Sequence, residues 1–244
     1  MNYYNYDNRN FYERLKQFLP PVTLNLIIIN ALVWFAQFVF GRLGFNLANM
    51  FGLHYFEAEQ FRLWQFVTYA FLHDESSIAH LFFNMFSLFM FGGAIERLWG
   101  RSRFLTFYIV CALTAALTQQ IFWYTQFHDV VASGATIVTF SEGGQMLAAS
   151  FLNRVLTIGA SGSVFGLLLA FGMLFPNASI YMMFIPIPIK AKYFVAIYGL
   201  VELFLGISGT NDGIAHFAHL GGMIGGIVLI LLWRKKGYID RPYV

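Results

Sequence analysis

Six long apolar runs, separated by polar or charged segments, divide the chain into predicted membrane-spanning helices. Each run holds 17 to 21 residues. At about 1.5 Å per residue, this length suits a hydrocarbon layer of about 30 Å, although the shortest runs require some thinning of the bilayer. The predicted spans are Val22–Phe40, Ile78–Leu98, Phe104–Trp123, Ile158–Phe175, Ala191–Ile207 and Ile214–Trp233. The pattern therefore predicts an all-α integral membrane protein that folds as a bundle of six transmembrane helices.

The segments outside the spans are too short to form a second folded domain. Residues 1–20 are predicted to be an N-terminal tail, residues 21–234 the six-span membrane domain, and residues 235–244 a C-terminal tail. Two connections are long, at 41–77 and 124–157. The first mixes apolar residues with isolated charges, which is typical of short helices lying in the membrane interface. The second has no role that its sequence indicates.

Composition and charge agree with a membrane protein and orient it. Hydrophobic residues make up 58% of the chain and charged residues 11%, against about 45–50% and 25% in soluble domains. Twelve of the 15 lysines and arginines fall in the two tails and the connections on their side. Because cytoplasmic segments are enriched in Lys and Arg, both termini are predicted to be cytoplasmic. Topology thus explains the net charge of +3, and a nucleic-acid partner is not predicted.

Polar residues capable of chemistry occur at matched depth in three predicted spans that run from the outer side inward. His80, Ser161 and His219 lie near the outer starts of the second, fourth and sixth spans, about 3 to 8 Å inside the boundary. A serine hydroxyl becomes a strong nucleophile when a histidine removes its proton. Ser161 and His219 are therefore candidates for these two roles. His80 and Asn84 share one helix face and could donate hydrogen bonds to an oxyanion.

Small residues predict that the fourth and sixth spans touch. Glycines four positions apart allow helix backbones to approach closely in lipid. Such pairs are Gly162 with Gly166, Gly221 with Gly225, and Gly222 with Gly226. Phe165 lies four residues after Ser161 on the same helix face, where its ring could pack against the His219 imidazole.

The motifs around these residues resemble those of the rhomboid family of intramembrane serine proteases. Gly159-Ala160-Ser161-Gly162 is similar to the family's Gly-X-Ser-Gly motif, and Ala218-His219-Leu220-Gly221-Gly222 to its histidine motif. His80-Leu81-Phe82-Phe83-Asn84 is similar to its His-X-X-X-Asn motif. The resemblance extends from about Pro20 to Trp233. It departs in the first outer loop, where the family's Trp-Arg pair is Trp64-Gln65.

The resemblance implies both a mechanism and a class of substrate. It implies a Ser161–His219 dyad without a catalytic acid, with His80 and Asn84 helping to stabilise the oxyanion. The substrates would be transmembrane segments of single-pass or multi-pass membrane proteins, cut near the outer face of the bilayer. A compact membrane domain of this kind indicates a bacterial plasma membrane, with the active site opening to the outer side. No cofactor or metal is implied.

Other polar residues have less defined predicted roles. Glu202 lies within the fifth span, where a buried acid indicates a gate or a polar network; the loop at 208–213 would be part of such a gate. His216 is interpreted as an interfacial neighbour of the site. His54, His73 and His128 lie in the outer loops and are interpreted as solvated or structural.

The sequence leaves three other classes of function open. A metalloprotease would carry His-Glu-X-X-His, which the chain lacks, although His216, His219 and His80 could together bind zinc. A small-solute transporter is suggested by Glu202 and by the proline-interrupted Ile185-Pro186-Ile187-Pro188 segment, which is predicted to be non-helical. A catalytically inactive adaptor of the same family is the third. The sequence indicates no oligomeric state.

Overall fold

The computed structural model of the protein describes residues 18–139, 144–182, 185–208 and 215–239. Its long helices are α1 (Pro21–Arg42), α4 (Ile78–Trp99), α5 (Arg101–Ala132), α8 (Ala191–Ser208) and α9 (His216–Lys235), which are all long and apolar enough to cross a membrane. Its shorter helices are α2 (Leu47–Phe51), α3 (Gln65–Thr68), followed by a 3₁₀ turn (Tyr69–Phe71), α6 (Ala148–Arg154) and α7 (Ser161–Leu174). Of the predicted tails at 1–20 and 235–244, residues 1–17 and 240–244 lie outside the described residues.

The described residues are mostly helical, as predicted, and three short antiparallel strand pairs connect the helices. These are β1 (Leu53–His54) with β4 (Leu156–Thr157), β2 (Ile137–Thr139) with β3 (Gln145–Leu147), and β5 (Ser179–Met182) with β6 (Ile185–Lys190). The last pair confirms that the segment with two prolines is not helical. It forms a hairpin between α7 and α8.

Helix α7 is shorter than the fourth predicted span, Ile158–Phe175. Its 14 residues are about 21 Å long, because the preceding chain pairs as β4 and then turns at Gly159, whose φ of +129° is a conformation that favours glycine. Eleven of its residues are buried. A helix that is apolar all round belongs in the interior. Helices α4, α5, α8 and α9 all contact α7, which places α7 in the interior of the bundle.

Helix α5 is longer than the third predicted span, Phe104–Trp123, and continues to Ala132. The predicted loop at 124–157 therefore begins as helix. This extension is stabilised by aromatic contacts: the ring centroid of Phe127 lies 5.8 Å from that of Tyr55 and 5.5 Å from that of Phe151, and Tyr124 stacks on Phe56. The two long predicted outer loops thus share a small apolar core with the end of α5.

The predicted contact between the fourth and sixth spans is confirmed in α7 and α9. A Cβ added to Gly222 would overlap the carbonyl oxygen of Gly162, so the two backbones touch. Gly221 and Gly225 lie on a neighbouring face of α9, since added Cβ atoms there would collide with Thr118 and Thr114 of α5. The glycine-rich helix α9 therefore packs closely against two neighbours, on adjacent faces.

Gln65 anchors the first long loop. It stands at the position where the rhomboid family, whose motifs this sequence resembles, has arginine. Its side chain is fully buried. Its Oε1 accepts hydrogen bonds from the backbone N–H groups of His54 (3.3 Å) and Arg62 (3.1 Å), and its Nε2 donates to the carbonyl oxygens of Gln60 (2.9 Å) and Met50 (3.4 Å). A neutral amide thus ties together four points of the loop without a buried charge.

The opposite end of the bundle is fixed by Glu96 of α4. This acid is buried, and its two carboxylate oxygens accept hydrogen bonds from the backbone N–H of Val22 (2.9 Å) and from the N–H and hydroxyl of Thr23 (2.7 and 2.8 Å). Backbone N–H groups at a helix N-terminus lack partners within the helix and attract anions. Glu96 therefore caps α1 from a neighbouring helix.

Candidate active site

The residues that the sequence singles out line one large cavity of about 1060 Å³. The cavity lies between α4, α7, α8 and α9, and its walls are mainly apolar. Its polar lining residues are Asp74, Ser77, His80, Asn84, Ser87, Thr157, Ser161, Tyr181, Tyr198 and His219. The structure thus brings together all four predicted catalytic and oxyanion residues around one space.

Ser161 and His219 are in direct contact. His219 Nε2 lies 2.8 Å from Ser161 Oγ, within hydrogen-bonding distance. Ser161 is the first residue of α7, and the glycine contact between α7 and α9 holds His219 opposite it. The Phe165 ring stacks on the imidazole at a centroid distance of 4.1 Å and an interplanar angle of 7°. The structure thus places Ser161 and His219 in contact and stacks the Phe165 ring on the imidazole.

His80 is positioned to donate a hydrogen bond toward the serine. Its Nδ1 lies 3.3 Å from the backbone N–H of Asp74 and accepts from it. With Nδ1 as the acceptor, the neutral ring carries its hydrogen on Nε2. A Cβ added to Gly159 would lie 3.0 Å from this Nε2 and 3.6 Å from Ser161 Oγ. Glycine at this position therefore leaves the space between the imidazole and the hydroxyl open.

Asn84 lies one helical turn further into the bundle than His80. The residue is 6% exposed and lines the cavity. Its Nδ2 donates to the carbonyl oxygen of His80 at 2.9 Å. An amide nitrogen has two hydrogens, so this bond fixes the side chain and leaves a second donor.

The sequence left the loop histidines as either solvated or structural, and the structure favours the structural alternative for His54 and His73, which are both fully buried. His54 Nε2 is 2.8 Å from the carbonyl oxygen of Asn49. The backbone of His73 exchanges two hydrogen bonds with the Gln37 side chain, at 2.9 and 3.0 Å. Both residues are structural. His128 is exposed at the end of α5, where its ring packs on Tyr124.

His73 makes stability dependent on pH. It lies outside the membrane-spanning helices, and its ring centroid is 5.1 Å from that of His80. Burial, together with the nearby His80, lowers the pKa of His73 to about 3. The unfolded chain binds a proton at this residue below its ordinary pKa of about 6.5, whereas the folded protein does not until the pH is near 3. The contribution of His73 to stability is therefore complete above pH 6.5 and is lost as the pH falls toward 3.

We expect the stability of the parent in detergent to fall more steeply than that of His73→Phe as the pH is lowered. The difference in the free energy of unfolding between the two proteins should change by about 2 to 3 kcal/mol from pH 7.5 to 4.5. Over this range position 73 of the parent takes up a proton in the unfolded chain but not in the folded protein. Thermal unfolding midpoints across this range measure it. Parallel pH curves for the two proteins would show that His73 is not responsible.

Glu202 contributes a contact that the sequence did not predict. Its Oε2 lies 2.9 Å from His219 Nδ1 and 2.7 Å from His216 Nδ1. All three side chains are at least nine-tenths buried. His216 is thus a neighbour of the site that contacts Glu202, and the Ser161–His219 pair has an acid beside it. The spacing of His216 and His219, three residues apart on one face of α9, was the available signal.

These same three side chains could coordinate a metal ion. The ligand atoms of Glu202, His216 and His219 lie within 4.8 Å of one another. Two imidazoles with one carboxylate form a ligand set that zinc accepts. His80, which the sequence grouped with the two histidines, is not part of this cluster. In the observed geometry both Nδ1 atoms are at hydrogen-bonding distance from one oxygen of Glu202.

Comparison with known proteins identifies a family. The family model described as Rhomboid domain matches residues 60–236. The chain is 32% identical over 203 residues to RHOMBOID-like protein 12, mitochondrial, of Arabidopsis thaliana, covering 82% of this chain and 55% of that protein. It is 26% identical over 227 residues to Rhomboid protease AarA of Providencia stuartii, covering 87% of this chain and 72% of that protein.

A shorter match links the chain to a second bacterial relative. It is 31% identical over 110 residues to Rhomboid protease GlpG of Haemophilus influenzae, covering 43% of this chain and 54% of that protein. The chain therefore spans about half the length of two of these relatives and somewhat more of the third. Bacterial and mitochondrial proteins are both among them.

Proposed function

Because the chain belongs to the rhomboid family of membrane proteins, we propose that it is an intramembrane serine endopeptidase. Ser161 would be the nucleophile and His219 its base. The observation that carries this proposal is the 2.8 Å separation of His219 Nε2 and Ser161 Oγ at the wall of a cavity within the bundle. The names of the relatives from Providencia and Haemophilus, which are both called proteases, agree with it.

In the first half of the reaction, His219 Nε2 takes the proton of Ser161 as Oγ attacks the carbonyl carbon of the substrate peptide. The resulting oxyanion would accept hydrogen bonds from His80 Nε2–H, from Asn84 Nδ2 and from the backbone N–H of Ser161, which begins a helix and has no partner within it. The imidazolium then donates its proton to the leaving amine, and the acyl-enzyme forms. Phe165, stacked on the ring, keeps Nε2 directed at the serine.

In the second half, water replaces the amine and follows the reverse order of proton transfers. His219 removes a proton from water, the hydroxide attacks the acyl carbon, and the proton returns to Ser161 as the carboxylic acid product leaves. The polar side chains of the cavity, including His80 and Asn84, provide hydrogen-bond partners for this water within an otherwise apolar bundle.

The shape of the cavity supports access by a transmembrane helix from the side. Its apolar wall includes Phe83 and Met90 of α4 and Phe194 and Ile197 of α8, so it extends along the gap between these helices. Helix α8 is mostly exposed along its length, as expected for a helix at the edge of the bundle. Substrates would be transmembrane segments of other membrane proteins. The predicted gate loop at 208–213 lies almost entirely outside the described residues.

The proposed protein crosses the membrane six times. Helix α7, although only 14 residues long, would act as the sixth span beside the five longer helices. With both termini cytoplasmic, Ser161 lies near the outer face of the bilayer. We propose that the protein lies in a bacterial plasma membrane in this orientation.

A covalent serine probe tests the proposal without knowledge of the substrate. We expect a fluorophosphonate to label the purified parent in detergent and to leave Ser161→Ala unlabelled, because the His219 imidazole lies within hydrogen-bonding distance of Ser161 Oγ and can activate it. Ser163→Ala is the matched control on the same helix: its hydroxyl is buried and donates to the Tyr108 carbonyl oxygen at 2.8 Å. Equal labelling of the parent and Ser161→Ala would contradict the proposed nucleophile.

A further inference from the structure

Glu202 and Ser161 contact the two different ring nitrogens of His219. The distances are 2.8 Å from Ser161 Oγ to His219 Nε2 and 2.9 Å from His219 Nδ1 to Glu202 Oε2. The two ring nitrogens of His219 therefore have different partners, a hydroxyl on one side and a carboxylate on the other. This arrangement joins three helices, α7, α9 and α8, at one imidazole.

The contact determines where the hydrogen of the neutral imidazole lies. A carboxylate only accepts hydrogen bonds, so the nitrogen facing Glu202 must carry the N–H. His219 Nε2 is then left with its lone pair, which is the form that can accept the proton of Ser161. Without an acceptor at Nδ1, the ring could carry its hydrogen on either nitrogen, and one of the two forms is inactive as a base.

The same carboxylate has its largest effect during the reaction. When His219 accepts the serine proton, an imidazolium forms beside Glu202, and opposite charges in a buried site attract strongly. This attraction is absent while His219 is neutral. Because it develops only as the proton moves, it lowers the barrier of the chemical step and has little effect on substrate binding.

His216 makes an ionised Glu202 compatible with burial. Its Nδ1, at 2.7 Å, can donate a second hydrogen bond to the oxygen that faces His219. A buried carboxylate requires such donors, since an isolated charge in an apolar interior is strongly disfavoured. His216 thus has the position of a supporting donor, one turn before the catalytic histidine.

We propose that Glu202 is the positioning residue of a Ser161–His219–Glu202 triad, supported by His216. The inference rests on the proposed protease function and goes beyond it, because a serine–histidine dyad alone would not require this acid. Of the two roles that the sequence suggested for Glu202, a gate or a polar network, it selects the polar network. The two roles differ in a measurable way, since a gate affects only substrates that must pass between the helices.

The test compares Glu202→Gln, Glu202→Asp and the parent with a labelled transmembrane substrate and with the fluorophosphonate probe. We expect Glu202→Gln to lower kcat by about 10² to 10⁴-fold, with KM changed less than about threefold. Probe labelling should slow in proportion, because the small probe also depends on activated Ser161. Glu202→Asp retains the charge, so its kcat should be at least about tenfold higher than that of Glu202→Gln. If the Gln variant does not fold, a proportional loss of cleavage and labelling in Glu202→Asp is the expected result.

Glu96→Gln is the matched control, because it removes another buried acid that is far from the cavity. We expect it to lower the unfolding temperature but to leave kcat within about threefold of the parent. Thermal unfolding of all variants separates a loss of folding from a loss of rate. A Glu202→Gln protein with full kcat would overturn the inference, and so would slow substrate cleavage with normal probe labelling, which indicates a gate.

Two further results separate this inference from its premises. If Ser161→Ala is inactive while Glu202→Gln is fully active, the proposed protease function stands and only the triad is wrong. If Ser161→Ala retains cleavage, the proposed function itself fails. Loss of parent activity with a chelator and its return with Zn²⁺ would instead make Glu202, His216 and His219 metal ligands, and would also overturn the triad.

Discussion

Replacing His219 with alanine is expected to lower kcat for cleavage of a transmembrane substrate by at least about 10⁴-fold, and Ser161→Ala by a similar factor. Each change removes one partner of the 2.8 Å contact that generates the nucleophile. KM should change little, because neither group is needed to hold a substrate helix in the gap between α4 and α8. Steady-state cleavage of a fluorescently labelled substrate in detergent measures both parameters.

The double variant and a distant histidine provide the controls. Residues that act as one unit have non-additive effects, so Ser161→Ala/His219→Ala should be no slower than the worse single variant. His128→Ala, at an exposed position on α5, should retain parent activity. Cleavage by His219→Ala at more than about a tenth of the parent rate would mean that another group is the base.

Adding a single methyl group at Gly222 is expected to disrupt the protein. The Cβ of Gly222→Ala would overlap the carbonyl oxygen of Gly162, and backbone cannot move aside as a flexible side chain does. Helices α7 and α9 would have to separate, which costs packing along both helices and moves His219 away from Ser161. We expect a loss of stability of about 1 to 3 kcal/mol and a fall in kcat of about 10²-fold, measured by thermal unfolding and substrate cleavage.

Gly199→Ala is the matched control for this change. Its added Cβ would approach the flexible end of Met223, with the nearest atom at 3.2 Å. The substitution is the same, and alanine is the better helix former, so stability should remain within about 0.5 kcal/mol of the parent or rise. If Gly222→Ala behaved like Gly199→Ala, the close contact of α7 and α9 would not be what fixes the Ser161–His219 distance.

Several features of the fold follow from local patterns in the sequence. The five long helices have bounds close to the predicted spans, except that α5 extends to Ala132. Apolar length is a property of each segment by itself, and the membrane imposes one thickness on all of them. The glycine spacing also predicted correctly that α7 and α9 touch, because small residues four positions apart form one face of a helix regardless of its neighbours.

The candidate site could be predicted in part for a similar reason. Ser161, His219 and His80 stand at similar distances from the starts of their predicted spans, and similar depth in a bilayer brings side chains into one layer. The meeting of Ser161 and His219 also required that α7 and α9 be in contact, which the glycine spacing predicted. The motifs around these residues are similar to those of the rhomboid family, and this similarity indicated a nucleophile, a base and an oxyanion donor.

The sequence alone determined which segments are apolar helices and which polar residues share a depth, because hydropathy and helical period are local properties. Only the tertiary structure decided that Glu202 and His216 meet His219, that His73 is buried, and that Gln65 ties its loop together. Those contacts depend on the rotation of each helix about its axis and on the packing of the loops. Rotation and packing are set by neighbours distant in the chain, and no spacing within a single segment encodes them.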